Sequence, residues 1–305
     1  MESTPRNPAN ASSSTDPITR RSLLETAALG GLAAAAASIL PAHARADDKA
    51  PGPKGKVKQS ICQWCYSKVP LEELAKSGAE MGYRSVELIG PELWPAVQKH
   101  GLICAMVPSH PLHKGLNHKE HHDECLAKIR TAIERSAEVG FPNVITFSGN
   151  RAGMPDDMGI ENCVIALKKI VGFAEEKKVT LCMELLNSKV DHKDYQCDKT
   201  LWGVEVVKRV GSPRFKLLYD IYHMQIMEGD VIRTIRENHQ YIAHYHTGGN
   251  PGRNEIDETQ ELNYAAVLRA IAETGYDGYV AQEFIPKVPE NALASLKKAY
   301  QICAV

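Results

Sequence analysis

From Lys56 onward the chain repeats one pattern eight times: a short apolar run, then a longer segment whose apolar residues recur at helical spacing. The runs that read as strands lie at 58–63, 85–89, 102–107, 143–147, 180–184, 216–220, 242–246 and 279–284. Helical segments are predicted at about 71–82, 92–99, 119–139, 159–177, 200–210, 229–238, 262–274 and 289–302. Gly or Pro punctuates most junctions, as at Gly82, Gly101 and Gly140. Eight β-then-α units in about 250 residues predict an α/β fold, a (β/α)8 TIM barrel forming a single domain over 57–305. No G-x-G-x-x-G follows the first strand, which argues against a dinucleotide-binding open sheet.

The ends of the later strands carry the chemistry. The fifth run closes on Glu184, the sixth on Asp220, the seventh on His246 and the eighth on Glu283. In a barrel of this kind the C-terminal strand ends form the active-site rim. A charge finishing an apolar run is costly to bury unless it is paired or bound to a cation. Three carboxylates converging on one rim would repel one another, and a divalent ion removes that conflict. Oxygen ligands with one imidazole suit Mn, Mg, Co or Zn, and the residues do not choose among them. Any one of these residues alone reads as a solvated strand end; four in succession read as metal ligands.

The chain's first part is expected to lie outside the fold. Residues 1–18 are rich in Ser, Pro, Asn and Thr, and 19–46 carry a twin arginine (Arg20-Arg21), an Ala/Gly-dominated run and a small-x-small site at Ala44-Arg45-Ala46. That layout is an export signal of the twin-arginine type, which would deliver the protein to the periplasm, with 47–56 as linker. The run from Ala27 to Leu40 is short for an uncleaved membrane anchor, which needs about 20 apolar residues. Removing 1–46 takes four arginines and three carboxylates from totals of 36 basic and 37 acidic residues, leaving a near-neutral chain. That balance gives no reason to expect nucleic acid or an anionic membrane as a partner. The eight cysteines are dispersed, and "CQWC" (62–65) without a second pair reads as buried thiols, with a periplasmic disulfide as the alternative. The segment "SHPLHKGLNHKEHH" (109–122) holds five histidines; a solvated helix entrance is favoured over a second metal site formed by His118, His121 and His122. His110 lies nearest the strand end and is placed in the pocket, with Glu87 as a further candidate for its wall.

"LLYDIYHMQIMEGD" (217–230), "HYHTGGNPGRNEIDETQELNY" (244–264) and "GYDGYVAQEFIP" (275–286) resemble the hydroxypyruvate isomerase family, one of the xylose isomerase-like TIM barrels, which also include ketose 3-epimerases. The resemblance runs from about Val57 to the C-terminus. It implies one divalent metal held by Glu184, Asp220, His246 and Glu283. It also implies Glu184 and Glu283 as the acid–base pair, with His223 and Arg253 binding substrate oxygens. A supporting role for His223 beside Asp220 stands as the alternative. The chain departs from the family in three places: His246 stands where Gln is common, "ELLN" (184–187) replaces Glu-Pro-Ile-Asn, and 188–200 is unlike the usual segment.

The expected function is a metal-dependent isomerase that interconverts an α-hydroxy aldehyde and a ketone. Its partner would be a small hydroxy-carbonyl or sugar, with a homo-oligomer possible. A ketose 3-epimerase and a non-catalytic periplasmic binding barrel are the alternatives. A DNA-repair hydrolase of the same superfamily is disfavoured, because it needs a basic groove and more histidine ligands.

Overall fold

A computed structural model describes residues 57–305; the expected export signal (19–46) and linker (47–56) lie outside the described residues. Seven parallel strands form the sheet: β1 (Lys58–Cys62), β2 (Ser85–Glu87), β3 (Asn143–Thr146), β4 (Thr180–Glu184), β5 (Phe215–Asp220), β6 (Ile242–Thr247) and β7 (Tyr279–Gln282). Their order is β2-β1-β7-β6-β5-β4-β3. The helices are α1 (Leu71–Met81), α2 (Trp94–Gln98), α3 (His122–Val139), α4 (Asp156–Lys177), α5 (Thr200–Val210), α6 (Ile221–Met227), α7 (Val231–Asn238), α8 (Tyr264–Glu273) and α9 (Ala292–Ile302). No described helix is long and apolar enough to cross a membrane.

The third of the eight expected staves differs from expectation. Residues 102–107 run between β2 and β3 but pair only through single parallel bridges, Ser85 with Ile103 and Val107 with Val144. The segment bends at Ala105, where side chains replace the ladder: the Ala105 N–H donates to Ser85 Oγ (2.9 Å) and Asn143 Nδ2 donates to the Ala105 carbonyl (3.0 Å). Main-chain bonds on either side, Val86 N to Ile103 O and Ile145 N to Val107 O (both 3.0 Å), still close the barrel.

Alternation along the strands sorts the residues into two cores. Met106, Ile145, Cys182 and Leu218 meet inside the barrel. Their opposite-facing neighbours, such as Leu181, Leu217 and Tyr219, join the larger core beneath the helices. The helices meet it with an apolar stripe; in α3 it is Cys125, Ile129, Ala132, Ile133 and Ser136, ending at Gly140, whose φ of 75° closes the helix. Burying Leu181 and Leu217 fully stabilises the fold by roughly 1.5–3 kcal/mol each.

Two further departures matter for the site. Helix α6 was not expected: it starts directly after β5, because Asp220 Oδ1 accepts the His223 N–H (3.0 Å) and caps it. The pairing of β5 with β6 shifts register between Leu217 and Leu218, so that Asp220 stands beside His246. Such bulges often re-aim side chains next to active sites.

Candidate active site

Glu184 ends β4, Asp220 ends β5, His246 lies in β6 and Glu283 follows β7. The strand ends bring the four together: one ligand atom from each lies within 4.8 Å of every other, and all four residues are buried. His246 Nδ1 faces the glutamates, 2.7 Å from Glu283 Oε2 and 3.3 Å from Glu184 Oε1. Arg253 Nη2 donates to Glu283 Oε2 (2.5 Å) and Asp220 Oδ2 (3.1 Å), while its guanidinium lies 5.3 Å from the rings of both Trp64 and Tyr222. Arg253 sits in the left-handed region (φ 56°) on a loop that only Gly249 can start, since a Cβ there would meet the Glu255 carbonyl oxygen.

Beneath the cluster lies a second polar layer. Glu87, expected at the pocket wall, is instead fully buried under His246 and does not line the cavity. Its Oε1 accepts from His246 Nε2 and His244 Nε2 (2.9 Å each), and its Oε2 accepts from Ser60 Oγ (2.6 Å). With Nε2 so occupied, His246 turns Nδ1 toward the carboxylates. Burial works to raise the Glu87 carboxyl, but His244 and His246 beside it bring it down to about 2. Strand alternation explains the displacement: Glu87 follows Ser85 on the inward face of β2, and inward here means the barrel interior.

Above the cluster is a cavity of about 330 Å³. His223 borders the acidic cluster rather than the cavity lining, with Nε2 3.6 Å from Asp220 Oδ2. The Val190 and Asp191 N–H groups fix Asn187 Oδ1 as acceptor, so Asn187 Nδ2 donates to His223 Nδ1 (2.6 Å). That leaves His223 Nε2 carrying the proton, buried and without a partner. Burial, then Arg253, holds this ring well below the usual histidine range. His110 lines the cavity, yet both ring nitrogens are spent on its surroundings: Nδ1 on the Lys114 carbonyl (3.0 Å), Nε2 on Thr146 Oγ1 (2.9 Å) and the Phe147 N–H (3.3 Å).

Sequence reasoning missed three contributors. Trp64, in the turn after β1, donates from Nε1 to Glu283 Oε1 (2.8 Å). Asn187 orients His223, and His192 lines the cavity with its ring 5.3 Å from His223. The one signal for the last two was the unusual segment after Glu184. The rings of His118 and His121 lie 5.7 Å apart, but the histidines at 118, 121 and 122 form no common ligand group: His118 Nε2 meets the Arg151 carbonyl and His122 Nε2 the Leu116 carbonyl. All eight cysteines are buried and free, Cys62 and Cys65 included.

The electrostatics fit a divalent ion. Burial pushes the Asp220 carboxyl up to about 8 despite Arg253, and burial likewise raises Glu184. Glu283 is held well below the carboxylate range because Arg253 and His246 outweigh its burial. His246 is driven the other way: burial lowers it, but Cys62 and Glu283 beside it raise it well above the usual histidine range. Three buried carboxylates thus share too little positive charge, and three oxygens with one oriented imidazole form a donor set for a hard or borderline cation.

Comparison with known proteins agrees with this architecture. A family model described as xylose isomerase-like TIM barrel matches residues 75–300. The chain is 27% identical to the 2-oxo-tetronate isomerase of Cupriavidus necator over 246 residues, covering 75% of this chain and 92% of that protein. It is 25% identical to the hydroxypyruvate isomerase of Escherichia coli over 234 residues, covering 71% and 88%. Among solved structures, the D-psicose 3-epimerase of Clostridium cellulolyticum H10 aligns with a TM-score of 0.68 at 18% identity, covering 82% of this chain and all of that one. An AP endonuclease family 2 protein from Brucella melitensis aligns equally well, TM-score 0.68 at 23% identity, over 79% and 97%. With the matched model spanning most of the barrel, the chain belongs to the xylose isomerase-like TIM barrel family.

Proposed function

We propose that this protein is a divalent-metal-dependent isomerase that moves a proton between adjacent carbons of a small α-hydroxy aldehyde or ketone. The observation that carries the reading is the pair Glu184 and Glu283, buried with Asp220 and His246 at the floor of one cavity. The names of the relatives, 2-oxo-tetronate isomerase and hydroxypyruvate isomerase, support isomerase chemistry. Glu184, Asp220, His246 and Glu283 would hold the ion, which when bound supplies a Lewis acid for a carbonyl or hydroxyl oxygen.

The protein's own residues supply the rest. One glutamate removes the proton from carbon and the other returns it. Trp64 Nε1 and Arg253 Nη2 both donate to Glu283, fixing its carboxylate for that transfer. His223 Nε2–H, buried and unpaired 3.6 Å from Asp220 Oδ2, would be free to donate to a substrate oxygen brought beside that carboxylate. A ketose 3-epimerase is the second reading, favoured by His246 at a position where Gln is common in the isomerases. Export by the twin-arginine route belongs to the same proposal and rests on residues 19–46.

The test is deuterium exchange at the α-carbon of hydroxy-carbonyl compounds, with ion-loaded wild type beside Glu184→Gln and Glu283→Gln. Each variant should lose at least about 100-fold in exchange, the low end of what a positioned acid or base contributes. Exchange unchanged in both would remove the acid–base assignment. Binding without exchange in the wild type would favour a binding barrel.

A further inference from the structure

The cavity has two unlike ends. At one end stand Glu184, Glu283, Arg253 and His192. The other, around the ends of β2, the 102–107 segment and β3, is walled by Leu88, Pro108, Leu112, Ile145 and Phe147. Two polar side chains lie along this wall, and neither has a proton to offer: Ser109 Oγ donates to the Ile145 carbonyl and can otherwise only accept, and His110 is held at both ring nitrogens. A substrate carbonyl or carboxylate pressed against this wall would lose its water without gaining a donor, and a hydroxyl would find only Ser109 Oγ, at about 1–3 kcal/mol per unpaired neutral group and more for a charge. Arg253 is the one Lys or Arg among the described lining residues, and its Nη2 and Nε already serve Asp220 and Glu283. A carboxylate lying against the apolar wall would therefore have no Lys or Arg beside it.

We propose that the substrate is a neutral α-hydroxy ketone or aldehyde with oxygens only on the two or three carbons at the acidic end. Its remainder is a hydrocarbon tail lying against Leu112, Ile145 and Phe147. The inference rests on the isomerase reading of the site and narrows its substrate to a class different from the oxygen-rich acids named for its relatives.

The test uses wild-type protein loaded in turn with Mg²⁺, Mn²⁺, Co²⁺ and Zn²⁺. α-Deuterium incorporation from D₂O is followed by mass spectrometry for hydroxyacetone, 1-hydroxy-2-butanone, 1-hydroxy-2-pentanone and 1-hydroxy-2-hexanone, beside erythrulose and hydroxypyruvate. The expected result is kcat/KM rising about fourfold per added methylene, which corresponds to ~0.8 kcal/mol. 1-Hydroxy-2-butanone should exceed both oxygen-rich compounds. In Leu112→Asn, verified as folded by circular dichroism, the gain per methylene should shrink. A flat or falling series, or faster exchange with erythrulose or hydroxypyruvate, would overturn the tail while leaving the isomerase reading intact. No exchange with any compound and any ion would overturn both.

Discussion

Asp220 stands at the end of β5 and at the start of α6, so one carboxylate both joins the acidic cluster and caps a helix through the His223 N–H. The two jobs separate by substitution. Asp220→Asn keeps a cap of similar strength but removes a charge, whereas Asp220→Ala also costs about 1 kcal/mol of capping. We expect one divalent ion per wild-type chain. In Asp220→Asn the affinity should fall by more than the ~10–100-fold typical of losing an outer partner, measured by titration calorimetry, with the melting temperature of the ion-free protein little changed. Equal affinity in the two proteins would exclude Asp220 as a ligand. Residues of this kind are legible in sequence because a charge closing an apolar run violates a strong rule. Trp64 and Asn187 break no rule where they stand. Their importance comes from Glu283, 219 residues away, and His223, 36 away, which only folding brings near.

At the scale of elements, β2 and β6 meet through Glu87 and His246, 159 positions apart. Glu87 was singled out from sequence, but its direction was not, because a three-residue strand gives too little alternation to tell cavity from barrel interior. Its contact with His246 leads to a prediction that an ordinary wall residue would not share. Glu87→Gln should weaken ion binding by ~10–100-fold, since the charged acceptor that orients the imidazole becomes a weaker neutral amide. In a His246→Gln background the same change should have much less effect, because an amide there has no ring tautomer to set; a double-mutant cycle in ion affinity reads the difference. Full additivity would show that Glu87 does not act on the ion through His246. The third stave shows the converse. Its composition reads as a strand, yet Ser85 and Asn143 intercept the Ala105 peptide and leave two bridges in place of a ladder. Side-chain interception of that sort depends on neighbours in space and leaves no periodic trace.

For the molecule as a whole, the barrel explains how four residues spread over a hundred positions reach one cluster: parallel strands all deliver their C-terminal ends to the same rim. Export concerns the whole chain too. Replacing Arg20-Arg21 by two lysines should block translocation and retain the unprocessed protein in the cytoplasm, detected by cell fractionation and mass; processing that continues unchanged would refute the twin-arginine proposal. By itself the sequence determined the repeated β/α pattern, hence the barrel, and which four residues gather at the strand ends, because both are written in local periodicity and in charges placed where charges are costly. Tertiary structure alone decided that Glu87 supports His246 from below and that His110 has no nitrogen to offer a substrate. It alone made the far wall of the cavity apolar. Those properties depend on which groups satisfy each other's hydrogen bonds across distant segments, and that is settled only when the barrel closes.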